Sequence, residues 1–257
     1  MSNNGKGIVI SIITICYNNE EDIRPTIDSV VNQTYDNIEY IIVDGKSTDN
    51  TMGIVDEYSG YIYAIISESD EGMYDAINKG IKVATGDVVG LIHAGDRLYD
   101  EQVISSIADH FLSNDIEAMY GHSILVNQDD TPVRVNKSPE FNKSLFKFGW
   151  MPSHQSVYLK KDIFDYLGFY RTDLGGSGDY EFILRLFYFN NLKIKRLDKF
   201  TIKFSLGGRS TSNYHRILKS QAIQKKCWKL NGEDPPFYMV PFKLLRKIPQ
   251  FYKALKI

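Results

Sequence analysis

Cysteine is almost missing from this chain. Cys16 and Cys227 are the only two in 257 residues, too few for a disulfide framework and too far apart in sequence for a zinc motif. A reducing, intracellular setting is the expectation that follows. No apolar run approaches the roughly twenty residues needed to span a bilayer. The N-terminal stretch lacks the basic region, apolar helix and cleavage site of a signal peptide, so none is expected. Neither a GxGxxG turn nor a Walker loop occurs, which argues against a typical dinucleotide fold or a P-loop enzyme. The histidines show no metal-ligand spacing, and there are no repeats or low-complexity segments.

What remains is an ordinary globular composition, 43% hydrophobic and 24% charged, on a chain long enough to bury a core. Seventeen Tyr and 14 Phe suit amphipathic surfaces such as sugar sites. The net charge of −2 is unevenly placed. From residue 215 onward ten Lys or Arg stand against Glu233 and Asp234, so this tail carries about +8 and the rest about −10. A basic tail of that kind is expected to meet an anionic surface.

Four short Ile- and Val-rich runs, at residues 8–16, 38–43, 62–66 and 88–92, each end in carboxylates and small turn residues. Such runs, alternating with helical patterns, read as buried parallel strands of an α/β sheet. Helical spacing predicts helices over 20–32, 48–58, 73–83 and 100–111, with Asn18 or Asn19 capping the first and Ser47 or Thr48 the second. The order is that of a half-barrel-like or doubly wound βαβ array. Beyond residue 117 the pattern predicts a hairpin (118–127 and 131–136), a short helix over 142–148, a strand over 156–159 and a helix over 179–189. Edge strands over 193–196 and 201–204, a long helix over 214–230 and a basic stretch over 242–257 complete the reading.

Ligands of such sheets bind at the carboxyl ends of the strands. Acidic groups gathered there repel one another unless a cation or a web of donors lies among them, and a metal-assisted site for a polar ligand is the simplest reading. Asp44 ends one strand; Ser47 and Thr48 are free to cap the next helix, which leaves its carboxylate for a nucleobase or ribose. Gly95 permits close approach of a ligand, and Asp96 beside it is placed to hold a divalent ion. Asp179 follows the run Gly175-Gly176-Ser177-Gly178 at a helix start, where it can serve as general base or simply complement the helix dipole. Glu181 and Arg185 stand four apart, the spacing of an ordinary helix ion pair, and with His93 they are also acceptor or active-site candidates. His154 and Gln155, after Pro152, are further active-site candidates.

Taken together these stretches resemble glycosyltransferase family 2, the inverting enzymes of GT-A fold. The similarity runs from residue 8 to about 212. It includes SIITICYN at 11–18, DSVVNQTY at 28–35, EYIIVDGKSTDNT at 39–51 and ESDEGMYDAINKGIKVATGDVVGLIHAGD at 68–96. Later matches are His154-Gln155, Gly178-Asp179-Tyr180-Glu181 and Gly207-Gly208-Arg209-Ser210.

The resemblance implies a Rossmann-like, mostly parallel central sheet flanked by helices, with a C-terminal helical basic extension. It divides the chain into a transferase domain over 1–212 (nucleotide-sugar half about 8–115, acceptor half about 116–212) and an extension over 213–257. By the same resemblance Thr14, Tyr17, Glu20, Asp44 and Asp70 line the nucleotide pocket. The DxD-type motif falls on Ala94-Gly95-Asp96, so its first carboxylate is missing and Asp96 alone is carried over as ligand of Mn²⁺ or Mg²⁺. His93 stands where Asn is usual, and Gly178 replaces the acid that precedes the base, Asp179. The implied reaction moves a sugar from a nucleotide-diphosphate donor, UDP favoured, to a hydroxyl of a glycan or polyprenyl-diphosphate-linked saccharide, as in capsule or exopolysaccharide assembly. Phe242, Leu244, Leu245, Ile248, Phe251, Tyr252 and Leu255, interleaved with basic residues, suggest peripheral contact of 240–257 with the cytoplasmic face of a membrane; no nucleic-acid partner is expected. Two alternatives stand beside this. One is a sugar-nucleotide-binding protein without transfer, suggested by the incomplete DxD. The other is a nucleotidyltransferase, which would want a glycine-rich basic loop where Tyr17-Asn18-Asn19-Glu20-Glu21 stands.

Overall fold

A computed structural model describes residues 7–206, 214–246 and 250. The first four strands, β1 (Ile10–Cys16), β2 (Ile38–Asp44), β3 (Ala64–Ser67) and β4 (Val88–His93), pair in parallel in the order β3-β2-β1-β4. Their residues alternate between two cores, as a period of two requires. Ile13, Ile15, Val43 and Leu91 face one side with helix α3 (Met73–Val83), while Ile10, Ile12, Tyr40 and Ile42 face the other with α1 (Ile23–Val31) and α4 (Val103–Leu112). Burial on both sides explains why these strands read as continuous apolar runs.

The sheet then turns mixed. Strand β5 (Arg97–Leu98) precedes α4; β6 (Ala118–Val126) and β7 (Pro132–Asn136) form the expected hairpin; β8 (Val157–Lys160) inserts antiparallel between β4 and β6. At the β4–β8 contact Gly90 has no room for a side chain, since the Tyr158 ring occupies the place of its Cβ. Helices α5 (Ile163–Leu167) and α6 (Gly178–Leu184), the latter running on as a π-helical turn Arg185–Phe189, cover this half. The last strand, β9 (Ile194–Ser205), and helices α7 (Tyr214–Leu230) and α8 (Met239–Leu245) follow; Cys227, Trp228 and Met239 pack into the same core as Tyr180 and Tyr188.

Four local expectations are corrected. The two edge strands are one strand, β9, lying inside the sheet between β6 and β5; a register shift opposite His122 absorbs the polar Asp198-Lys199 step that reads as a break. Helix α1 starts at Ile23, because Asn18 and Asn19 turn their side-chain oxygens to Thr48 N and Tyr17 N instead of capping it. The second helix, α2 (Thr51–Asp56), starts later than residue 48, since Asp49 holds Thr51 N and Oγ1 and delays the first turn. Helix α4 likewise begins at Val103, three residues late, after Asp100 Oδ1 takes Gln102 N. Gly207 to Ser210 and most of the apolar tail (Ile248, Phe251, Tyr252, Leu255) lie outside the described residues.

Candidate active site

The strand register sets Cys16, Asp44 and Ser67 side by side, with His93 next to Ile15, so the carboxyl ends of β1 to β4 share one edge. Asp44 is fully buried there. Its carboxylate accepts hydrogen bonds from Ser47 N (3.0 Å to Oδ2), Ser47 Oγ and Ser67 Oγ (2.7 Å), with Cys16 Sγ 3.9 Å away. Asp44 therefore holds the turn that was left to Ser47 and Thr48, and Ser47 Oγ is itself taken by Asp44 and by Asn18 N. Thr14 corrects the expectation more sharply. It has no exposed surface and its hydroxyl pairs with Tyr40 OH at 3.0 Å, within the sheet.

The open surface at this edge belongs to others. Tyr17 is 48% exposed. A Cβ on Gly45 would stand 2.5 Å from Asp70 Oδ2 and 3.3 Å from the Tyr17 ring, so Tyr17, Gly45 and Asp70 frame one slot. Asp70 Oδ1 accepts from Gly72 N at 2.8 Å, which fixes the loop ahead of α3. Glu20 is exposed and accepts from Asn50 N at 2.7 Å, tying the loop after β1 to the start of α2.

Beyond β4, Ala94 and Gly95 make a turn in which Gly95 has φ +94°, a conformation that suits glycine. Asp96 is held on both oxygens, by Gln155 Nε2 (2.6 Å to Oδ2) and Ser205 N (3.1 Å to Oδ1). Burial pushes its carboxyl up to about 6, against the pull of these two hydrogen bonds. Gln155 Oε1 also accepts from His93 N at 2.8 Å, so one buried amide joins the end of β4 to Asp96.

His154, next in the chain to Gln155, faces the opposite partner. Its Nδ1 lies 3.6 Å from Asp179 Oδ2 and its Nε2 3.3 Å from His93 Nε2. The other oxygen of Asp179 accepts from Tyr74 OH at 2.9 Å. Burial, reinforced at His93 by the neighbouring ring, holds both imidazoles below their ordinary range, so both are neutral at pH 7. Two neutral rings meeting through Nε2 share one proton, and the arrangement in which His154 Nδ1–H points at Asp179 has His93 as donor. Gly178 now has a local reason. A Cβ there would stand 2.7 Å from Arg171 O and 2.8 Å from the Tyr74 ring, so only glycine lets Tyr74 reach Asp179.

The structure thus brings His93, Asp96, His154, Gln155 and Asp179 together and sets Tyr17, Gly45 and Asp70 along the same strand-end edge. Glu181 and Arg185 form the helix ion pair that their spacing predicts. Arg185 binds Glu181 at 2.9 Å and the carbonyls of Leu167 and Phe169, and Asn231 reaches Glu181 at 3.3 Å; the pair locks α6 to its neighbouring loops. Tyr74 and Ser205 were missed. Tyr74 could have been found: with Asn78 it is a polar residue at helical spacing on the buried face of α3, where each needs a partner.

Among the described residues no three His, Cys, Asp or Glu side chains cluster as a metal site. Asp96 nonetheless fits a single-ligand role. A carboxylate has about four acceptor positions and two are used here, and Mg²⁺-like ions are often held by one or two carboxylates plus substrate phosphates.

The model of the family described as "Glycosyl transferase family 2" matches residues 11–171, well over half of the chain. An uncharacterized glycosyltransferase of Mycobacterium tuberculosis is 31% identical over 182 residues, 68% of each chain. A PGL/p-HBAD biosynthesis glycosyltransferase of Mycobacterium bovis is 28% identical over 183 residues, 70% of each. Among solved structures, S. aureus TarS 1–349 in complex with UDP-GlcNAc has a TM-score of 0.72 at 18% identity, covering 96% of this chain and 80% of that one. A mannosyltransferase from Pyrobaculum calidifontis in complex with GDP-Man and Mn²⁺ has a TM-score of 0.61 at 15% identity, covering 98% and 75%. At these identities the structural likeness concerns the fold alone.

Proposed function

The chain belongs to glycosyl transferase family 2 and is a glycosyltransferase of GT-A fold, and we propose that it transfers a sugar with inversion from a nucleoside-diphosphate donor to an acceptor hydroxyl. The observation that carries this reading is one dipeptide: His154 meets Asp179 while Gln155 holds Asp96, so the candidate base and the candidate diphosphate end of the site are fixed to each other. In this reading the nucleotide lies along Tyr17, Gly45 and Asp70. Asp179 takes the proton from the acceptor hydroxyl, whose oxygen attacks the anomeric carbon on the face opposite the leaving diphosphate. Tyr74 and His154 hold the Asp179 carboxylate in place for that transfer. A divalent ion, Mn²⁺ or Mg²⁺, held at Asp96 would offset the charge that develops on the departing diphosphate. UDP is the donor nucleotide we favour from the family resemblance; neighbours of this fold are seen with UDP-GlcNAc and with GDP-Man.

Asp179→Asn is the test. It keeps the hydrogen bond to Tyr74 and removes the base, so donor binding measured by calorimetry stays near wild type while transfer falls by about 10²–10⁴-fold. Transfer within a few-fold of wild type excludes Asp179 as base. Loss of nothing, because no donor is ever turned over by the wild type, would favour a sugar-nucleotide-binding protein, the reading that the lone Asp96 supports.

The same proposal divides the chain into a transferase domain over 1–212 and a basic extension over 213–257, and gives it a lipid-linked or glycan acceptor in cell-surface polysaccharide assembly. Membrane contact at the cytoplasmic face would be peripheral: no described helix is long and apolar enough to cross a membrane. Support comes from Phe237, Phe242 and Leu245, which are 94%, 43% and 59% exposed among the basic residues of this segment. Co-sedimentation with anionic vesicles should be lost when these three are replaced by serine; unchanged co-sedimentation removes the contact.

A further inference from the structure

A cavity of about 250 Å³ lies between the segment that follows β7 and the end of α8, with Asn136, Lys137, Trp150, Arg246 and Gln250 in its wall. Two cations and no carboxylate line it. The acids nearby are already engaged: Glu140 pairs with Arg196 at 2.5 Å, and Asp198 with His122 at 2.8 Å. Arg246 has no carboxylate partner among the described residues, nor has the half-buried Arg134, two residues along β7 from Asn136 and on the same face of the strand. A half-buried guanidinium with no counter-charge beside it is costly unless an anion completes it, and the exposed Lys137 adds a second positive charge at the rim.

The cavity is wired to the active site. Gln250 Nε2 donates to Asn136 Oδ1 at 3.3 Å, Asn136 Nδ2 to Ser123 Oγ at 3.2 Å, and Ser123 Oγ meets Ser153 Oγ at 2.9 Å. Ser153 directly precedes His154, which stands against Asp179. A line of polar side chains therefore runs from the cavity wall to Ser153, one residue along the chain from the partner of the candidate base. The Trp150 indole, buried and in the cavity wall, adds a flat apolar face of the kind on which sugar rings rest.

We propose that this cavity is an acceptor subsite that holds a phosphate or diphosphate group carried by the acceptor, while the acceptor's hydroxyl lies at Asp179. A doubly charged group matches Lys137 and Arg246 better than a single carboxylate does, and Arg246 offers the planar fork that phosphate oxygens accept. The proposal rests on the transfer reading for the identity of the carrier. The anion site itself does not, and it can be tested without turnover.

The experiment uses the full chain with UDP at saturation, so that the donor slot is filled, and titrates inorganic diphosphate while following tryptophan fluorescence. Trp150 is the reporter; Trp228 is packed in the core. Saturable quenching is expected, weakened about tenfold by Lys137→Gln or by Arg246→Gln, and about a hundredfold by both. Asp179→Asn should bind diphosphate as wild type does even though transfer is lost, which separates this site from the reading of the base. Equal binding by wild type and the double variant overturns the proposal. So does loss of quenching in Asp96→Asn, because the probe would then be sitting in the donor slot. Competition identifies the carrier: farnesyl diphosphate displacing the probe at least about tenfold better than N-acetylglucosamine 1-phosphate supports a lipid-borne group, and the reverse order supports a soluble phosphorylated saccharide.

Discussion

His154 has two faces, and each can be removed separately. Its Nδ1 looks at Asp179 and its Nε2 at His93. The amide nitrogen of asparagine falls close to where Nδ1 was, that of glutamine close to Nε2. If His154 serves to orient the Asp179 carboxylate, His154→Asn retains most of kcat, whereas His154→Gln and His154→Ala lose it with little change in the donor KM. Tyr74→Phe, which strips the hydrogen bond at the other oxygen, should lower kcat by about tenfold, in line with a buried charge-assisted hydrogen bond. Equal kcat losses in the Asn and Gln variants would show that His154 acts only as packing. The same logic separates Asp44 from Asp96 and Asp179. Asp44 has both oxygens occupied, by Ser47 of its own loop and by Ser67 of β3, and no exposed surface, so the simplest reading of its role is to hold that loop against the end of β3.

At the scale of elements, the strand ends do the positioning, and the joint between β4 and β8 is the place where that can be tested. β4 ends in His93, and β8 follows the turn that carries His154 and Gln155. Gly90 and Tyr158 set how closely the two strands approach. A methyl group at residue 90 collides with a ring that has no exposed surface, so Gly90→Ala should cost about 1–3 kcal/mol by chemical denaturation and slow transfer as His93 and His154 separate. A stability change within about 0.5 kcal/mol would mean that Tyr158 moves freely. What the sequence made legible follows from the same strands. Runs of Ile and Val buried on both faces announce themselves in one dimension, and α3, whose apolar face is unbroken, was bounded to the residue. Helix starts were not legible, because Asn18, Asn19 and Asp49 have more than one backbone group within reach and only the tertiary loop decides among them. The site was legible as a set of candidates but not as a network. Tyr74 and Asp179 are 105 residues apart, and Ser205 and Asp96 are 109 apart. Thr14 entered the pocket by resemblance alone, and one dimension does not show that its hydroxyl's partner, Tyr40, lies on the neighbouring strand.

Across the whole molecule, buried imidazoles give stability a definite slope with pH. His93, His110, His122 and His154 are all held below their ordinary range, in each case first by burial. His110 Nε2 is buried with no hydrogen-bond partner, and His122 Nδ1 accepts from Ser138 N while Nε2 faces Asp198, a pattern that needs the neutral ring. The unfolded chain binds protons at these sites below about 6.5, where the folded protein does not. Their contribution is therefore present above that pH and is lost as pH falls through it. Asp96 works in the opposite sense: its carboxyl, raised to about 6 in the fold, penalises folding above that value, and the penalty fades as pH falls from about 6 toward its ordinary range. Between pH 7.5 and 6 the histidines dominate, since four of them take up protons in the unfolded chain while the folded Asp96 begins to do so only near the lower end of that range. The expected loss is roughly 1–3 kcal/mol, or a Tm lower by roughly 3–10 °C, at constant ionic strength. His110→Gln and His122→Gln should each flatten the slope of Tm against pH, even where they lower Tm itself, because they remove a proton-binding site from the unfolded chain. A Tm that is constant or rises between pH 7.5 and 6 would mean that these rings are charged in the folded protein, and with them His154 could not present a neutral partner to Asp179.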